Sequence, residues 1–171
     1  MKFRKTLLIG IIWCILISSL VFADHRNGTG IGGVLGTNYG IAGAGANLGL
    51  SLKTPSVPIF WAAFLGIQNK NVAFGITADK YLYDQDLVSE KDFNLDWYFG
   101  IGAYLNMGSI NDKFLSAAGV RFPIGLSWHI NKEYEMFLAF DPSVGISISP
   151  DLKFPDLFVA AEFGLRYWMK N

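Results

Sequence analysis

The sequence predicts an all-β fold, a closed antiparallel eight-stranded up-and-down transmembrane β-barrel that follows an N-terminal signal peptide. Three observations predict it. From Leu157 to Met169, one face is Leu157, Val159, Ala161, Phe163, Leu165, Tyr167 and Met169, and the other is Phe158, Ala160, Glu162, Gly164, Arg166 and Trp168. The first face is wholly apolar and the second holds the charges. This alternation recurs upstream between turn residues, whereas no stretch after Ala23 resembles a spanning helix. The remaining tryptophans fall at one end of the predicted strands.

Residues 1–23 read as a secretory signal peptide and residues 24–171 as the barrel domain. Lys2, Arg4 and Lys5 give a positive start, Leu7 to Leu20 is almost uninterrupted apolar sequence, and Val21-Phe22-Ala23 leads to a cut before Asp24. The apolar run is shorter than the roughly 20 residues a spanning helix needs. Cleavage removes three basic and no acidic residues, so the balance of 14 basic against 14 acidic becomes 11 against 14. Such a chain offers no basic field to a nucleic acid. It also loses Cys14, the only cysteine, and with it any disulfide. Sheet closure in a bilayer is then the source of stability, because it pairs every backbone group.

Eight strands are predicted: Thr29 to Thr37, Ala44 to Lys53, Ile59 to Ile67, Val72 to Tyr81, Leu95 to Asn106, Phe114 to Ile130, Tyr134 to Ile148 and Leu157 to Met169. The glycine-rich start fixes register weakly. In the fifth strand Trp97, Phe99, Ile101, Ala103 and Leu105 oppose Tyr98, Gly100, Gly102 and Tyr104. The sixth sets Ala118, Val120, Phe122, Ile124, Leu126 and Trp128 against Gly119, Arg121, Pro123, Gly125, Ser127 and His129. In the seventh, Met136, Leu138, Phe140, Val144, Ile146 and Ile148 oppose Glu135, Ala139, Asp141, Ser143, Gly145 and Ser147. Pro123 and Pro142 cannot donate to a ladder and mark bulges or bends. Eighteen of the 19 glycines follow the signal, and on the inward face they offset large side chains in a narrow barrel.

With both termini on the periplasmic side, Trp61, Trp97, Trp128 and Trp168 reach one rim, joined by Tyr81, Tyr134 and Tyr167. Aromatic girdles of this kind mark membrane interfaces. The outward loops, Asn38 to Gly43, Gln68 to Asn71, Met107 to Lys113 and Ser149 to Asp156, are short. The charged segment Leu82 to Asn94 reads as a long loop on the periplasmic side, where turns are usually short.

Asp79, Arg121, Asp141, Glu162 and Arg166 share the inward face. With turns centred near Lys132 and Leu152, Arg121 and Glu162 lie level with Ser143, and Asp141 lies near Arg166. Such charges form either a structural network that offsets their desolvation or a narrow gated ion path. Phe158, Tyr98, Tyr104 and Phe137 also point inward and fill the interior. Ser127 beside His129 lacks a third orienting group, so no catalytic residue and no enzyme activity is expected. Gly30-Ile31-Gly32-Gly33 has no helix or lysine after it for a phosphate. His25 and His129 are isolated and Asp84 with Asp86 lacks a calcium-loop series, so neither metal nor cofactor is expected.

Glu162, Gly164, Tyr167 and Met169 resemble the terminal signal read by the outer-membrane barrel assembly machinery, although Lys170 and Asn171 follow where such signals end in an aromatic residue. Tyr98 to Leu105, Gly119 to Trp128, Phe137 to Ser143 and Phe163 to Tyr167 resemble the small outer-membrane barrels of spirochaetes. The architecture is similar to the transmembrane domain of the OmpA and OmpX type. The resemblance implies an eight-stranded closed barrel and carries over no catalytic residue. The expected location is the outer membrane and the expected role structural or surface-interacting. Outer-membrane lipid and the assembly machinery are the expected partners, and a host or extracellular protein could engage only at the loops. Two alternatives stay open: a narrow pore for small solutes or ions, and a soluble periplasmic barrel that binds an apolar ligand as lipocalins do.

Overall fold

In the computed structural model residues 28–40, 43–68, 71–90, 93–110 and 113–169 are described. The signal-peptide reading, Cys14, Asp24, His25, Lys170 and Asn171 lie outside them. Alternation of apolar with polar or small residues produces strands β1 (Gly30–Gly40), β2 (Gly43–Thr54), β3 (Val57–Gln68), β4 (Asn71–Glu90) and β5 (Phe93–Ile110). They are followed by β6 (Lys113–Arg121), β7 (Ile124–His129), β8 (Tyr134–Ser149) and β9 (Lys153–Trp168). All pairings are antiparallel, and β1 pairs with β9 as well as with β2, so the sheet closes on itself. Among the described residues no helix is long and apolar enough to cross a membrane, a statement that does not touch strands.

Among the described residues nine strands make eight staves. β6 and β7 both lie between β5 and β8 and are two halves of one stave, interrupted at Phe122 and Pro123. Pro123 lacks the N–H that would continue the ladder. The gap is held from both sides: Gly100 donates its N–H to the Pro123 carbonyl at 2.8 Å, and Phe122 donates to the Pro142 carbonyl at 3.0 Å. Pro142 itself sits in β8 opposite Val159 without a register break, contrary to the expected bend. The break in β8 lies between Gly145 and Ser147.

The expected loop from Leu82 to Asn94 is instead a hairpin. β4 continues to Glu90 and β5 starts at Phe93, with register shifts between Tyr81 and Tyr83 and between Asp86 and Val88. Side chains on a ribbon beyond the barrel face no core, so the sequence there has no need of alternation. The loops at the other end are also tighter than expected, since β1 runs to Gly40 and β5 to Ile110.

Closing a sheet requires a stagger between its first and last strands. Here the stagger emerges as two steps. β3 and β4 last pair at Phe60 and Asp79, leaving β4 to continue alone with β5, while β1 and β9 last pair at Gly40 and Phe158, leaving β9 to continue alone with β8. One hairpin therefore projects at the end that carries Thr29 and Met169, and the other at the opposite end.

The charges face inward and the large apolar side chains face outward. Lys53, Asp79, Asp96, Arg121, Glu135, Asp141, Glu162 and Arg166 are buried, whereas Leu35, Leu48, Leu50, Leu65, Leu138, Phe140, Phe163 and Leu165 are exposed. Val34, Phe60, Phe64, Tyr81, Tyr98, Tyr104, Phe137 and Trp168 are the buried aromatic and apolar groups between those charges.

Candidate functional site in the barrel interior

Arg121 ends β6 immediately before the Phe122-Pro123 break, and three staves converge on it. Its Nη2 lies 2.9 Å from Glu162 Oε1 of β9 and 3.0 Å from Asp141 Oδ1 of β8, and its Nε lies 3.2 Å from Asp79 Oδ1 of β4. One guanidinium thus faces three carboxylates, all of them buried. A buried charge in a medium of low polarity must be met by opposite charge.

A second cluster lies toward the end that carries Thr29 and Met169. Arg166 Nη1 is 2.9 Å from Glu135 Oε1, and its Nε donates to Ser51 Oγ at 3.0 Å. Glu135, wholly buried, also accepts from Ser127 Oγ at 2.8 Å and from the Trp168 indole N–H at 2.6 Å. The Arg166 guanidinium is held between aromatic faces, 4.7 Å from the Phe60 ring centre and 3.9 Å from that of Phe137. Phe60, Tyr81 and Tyr98 stack in succession with centroids 4.2 Å apart. Lys53 Nζ lies 5.9 Å from the Phe60 ring and 5.6 Å from that of Trp168.

Asp79, Arg121, Asp141 and Glu162 are therefore brought together, but Arg166 belongs elsewhere. The expectation that Asp141 lies near Arg166 is corrected by the register: Arg166 pairs with Glu135 and Asp141 with Ala160. The ladder's last pair, Ser147 with Lys153, centres the turn at Pro150 instead of Leu152, and the one-residue irregularity between Gly145 and Ser147 offsets only part of that shift, so Glu162 pairs with Ala139 and is not level with Ser143. The sequence reasoning missed the buried charges Lys53 and Asp96 and, at the centre of this cluster, Glu135. Its signal was present, since it shares the alternating face of Ala139 and Asp141.

The aromatic set divides. Trp61, Trp128, Tyr134 and Tyr167 are exposed on the outer face and Trp97 is half-buried there. Trp61, Leu52, Ile31, Tyr167 and Tyr134 follow one another as register partners around the ring. Tyr81 and Trp168 are corrections: both point into the barrel, where they stack on Phe60 and bond Glu135 respectively. Alternation had already placed Trp168 with Arg166 and Tyr81 with Asp79, and proximity to the rim does not override it. Of the four terminal-signal residues, Glu162 and Gly164 face inward while Tyr167 and Met169 face outward. A Cβ at Gly164 would run into the Phe137 ring, so only glycine leaves that ring its place over Arg166.

Tyr104 packs edge-on against Phe158 with centroids 4.7 Å apart, and Tyr98 and Phe137 are buried. A cavity between the two charge clusters, lined by Ser51, Asp79, Tyr98, Arg121, Asp141 and Arg166 among others, has room for about one water. Ser127 and His129 are each engaged by a carboxylate, the serine by Glu135 and His129 Nε2 by Asp96 at 2.8 Å. Among the described residues no group of three or more histidine, cysteine, aspartate or glutamate side chains is arranged to hold a metal ion.

Compared with protein-family models and with curated proteins, the sequence matches none. Among solved structures it is similar to the crystal structure of Neisserial surface protein A (NspA), with a TM-score of 0.52 and 10% sequence identity over 82% of this chain and 96% of that one. At that identity the likeness concerns the fold: an antiparallel up-and-down barrel.

Proposed function

We propose that the chain is an integral outer-membrane β-barrel with a largely filled polar interior and a structural or surface-interaction role. One observation carries this: the ring turns most of its large apolar side chains outward, while eight Asp, Glu, Lys and Arg side chains are sequestered within it. In water that arrangement would expose far more contiguous apolar surface than a soluble protein tolerates. In a bilayer it is the arrangement a barrel requires, with alternating residues facing lipid and lumen. It also speaks against a lipocalin-like ligand binder, whose apolar face would be inside. The exposed aromatic row formed by Trp61, Tyr134 and Tyr167 fits one membrane interface, and Neisserial surface protein A has a similar fold. The resemblance to spirochaetal barrels and the terminal Glu162, Gly164, Tyr167 and Met169 pattern agree with delivery by the assembly machinery.

Cell fractionation with detergent phase partitioning, followed by gel mobility with and without boiling, tests the proposal. Outer-membrane recovery, entry into the detergent phase and a heat-modifiable band are expected. Recovery in the aqueous phase with unchanged mobility would overturn it.

A further inference from the structure

We infer that the cavity between the two charge clusters is a binding site for one dehydrated monovalent cation, an alkali ion held by the carboxylates of Asp79 and Asp141 at the centre of the ring. Its wall carries a charge excess. Asp79, Asp141 and Glu162 line it together with Arg121 and Arg166, so three carboxylates meet two guanidinium groups. Arg166 is already committed to Glu135, 2.9 Å away. Arg121 is then the single cation that faces all three carboxylates, and the negative excess lies where water cannot screen it. A buried charge in such a place is met by an opposite charge or a bound ion.

The oxygens that would hold the ion are in place. Asp141 is wholly buried; its Oδ1 lies 3.0 Å from Arg121 Nη2, whereas its Oδ2 has no hydrogen-bond partner among the described residues. Asp79 is 7% exposed, and its Oδ1, 3.2 Å from Arg121 Nε, has no hydrogen-bond partner there either. A Cβ at Gly102 would collide with that Asp79 oxygen, so the glycine leaves the carboxylate its place. Glu162 is the lesser ligand, because its Oε1 accepts the Arg121 hydrogen bond at 2.9 Å. Asp79 stands on β4 and Asp141 on β8, which are not neighbours in the sheet. An ion shared by the two would tie those staves across the lumen.

Size and ligand number select the occupant. Room for about one water admits an alkali ion stripped of its hydration shell and excludes larger organic cations. A divalent ion needs a cage of about six oxygens or more, and among the described residues no group of three or more histidine, cysteine, aspartate or glutamate side chains is arranged for one. The site belongs to the folded ring, goes beyond the outer-membrane reading and does not rest on it.

Urea unfolding of the full chain in lipid vesicles tests the site, at one pH and one ionic strength, with sodium chloride exchanged stepwise for tetramethylammonium chloride, whose cation is too large for the cavity. A higher midpoint in sodium is expected, the folding constant rising up to about tenfold for each tenfold rise in sodium, as one bound ion requires. In D141N, checked for an intact barrel by its heat-modifiable band, the two salts should give the same midpoint. Crystals of the parent chain soaked in rubidium chloride need no variant, and an anomalous peak between Asp79 and Asp141 is expected. Equal midpoints for the parent in the two salts would overturn the proposal and leave the excess to a proton on one carboxylate. A sodium effect undiminished in D141N, or rubidium found only at the surface, would overturn it as well. Either failure in a chain that still enters the detergent phase strikes this site alone and leaves the membrane reading standing.

Discussion

Arg121 is the residue on which the interior balance turns, because it is the one guanidinium among Asp79, Asp141 and Glu162. Removing it leaves three buried carboxylates facing one another. Arg121→Ala should destabilise the barrel by on the order of 3–5 kcal/mol. Removing one carboxylate has the opposite electrostatic sign, since it relieves repulsion while two partners remain on the guanidinium. Asp141→Asn should therefore lie within about 1 kcal/mol of the parent. Urea unfolding of the protein in lipid vesicles measures both, and equal losses for the two variants would show that the cluster is held by something other than this imbalance. Gly164 makes a second residue-level case. Gly164→Ala puts a methyl into the Phe137 ring and should cost about 1–3 kcal/mol, and Phe137→Leu in the same chain should recover part of that loss. Both residues were legible as inward-facing from alternation alone. Their partners were not, because a partner depends on register, and a turn centred at Pro150 instead of Leu152 puts Arg166 opposite Glu135 and away from Asp141.

At the scale of the element, the sequence is informative where a strand has two different faces to satisfy and silent where it does not. β8 and β9 are bounded by a core on one side and an apolar exterior on the other, so their period of two is unbroken and their extent is readable within a few residues. Beyond Tyr81, which is still buried in the barrel, Tyr83 to Glu90 has no such constraint, and nothing in its composition separates a ribbon from a loop. Proline was informative in kind but not in position: Pro123 splits a stave whereas Pro142 is absorbed into one. The ribbon's independence from the ring yields a prediction. Replacing Leu87 to Phe93 by a two-residue turn removes the tip and keeps the pairs of Asn94 to Phe99 with β7, so the shortened chain should retain a heat-modifiable band. Loss of that band would mean that the hairpin takes part in closure.

For the whole molecule, the claim that matters is which way round the sheet is turned, and alternation by itself is symmetric between the two choices. Charge breaks the symmetry. Arg166 on the inner face is clasped by Glu135, Ser51 and two aromatic rings, while Phe163 and Leu165 beside it lie exposed on the outer face. Polarity-sensitive spectroscopic labels at Phe163 or Val120 should report hydrocarbon in reconstituted protein, and a dry protein centre or bulk water at either site would contradict the orientation. The same geometry bears on conduction. The cavity between the Arg121 cluster and the aromatic layer of Phe60, Tyr81, Tyr98 and Phe137 holds about one water. An ion would have to shed its hydration and displace paired charges to pass, at a cost of several kcal/mol. Planar-bilayer recordings should therefore be silent. Stable unitary steps that Arg121→Ala abolishes would show instead that the carboxylates around Arg121 exchange partners during passage, and that the interior is a gate.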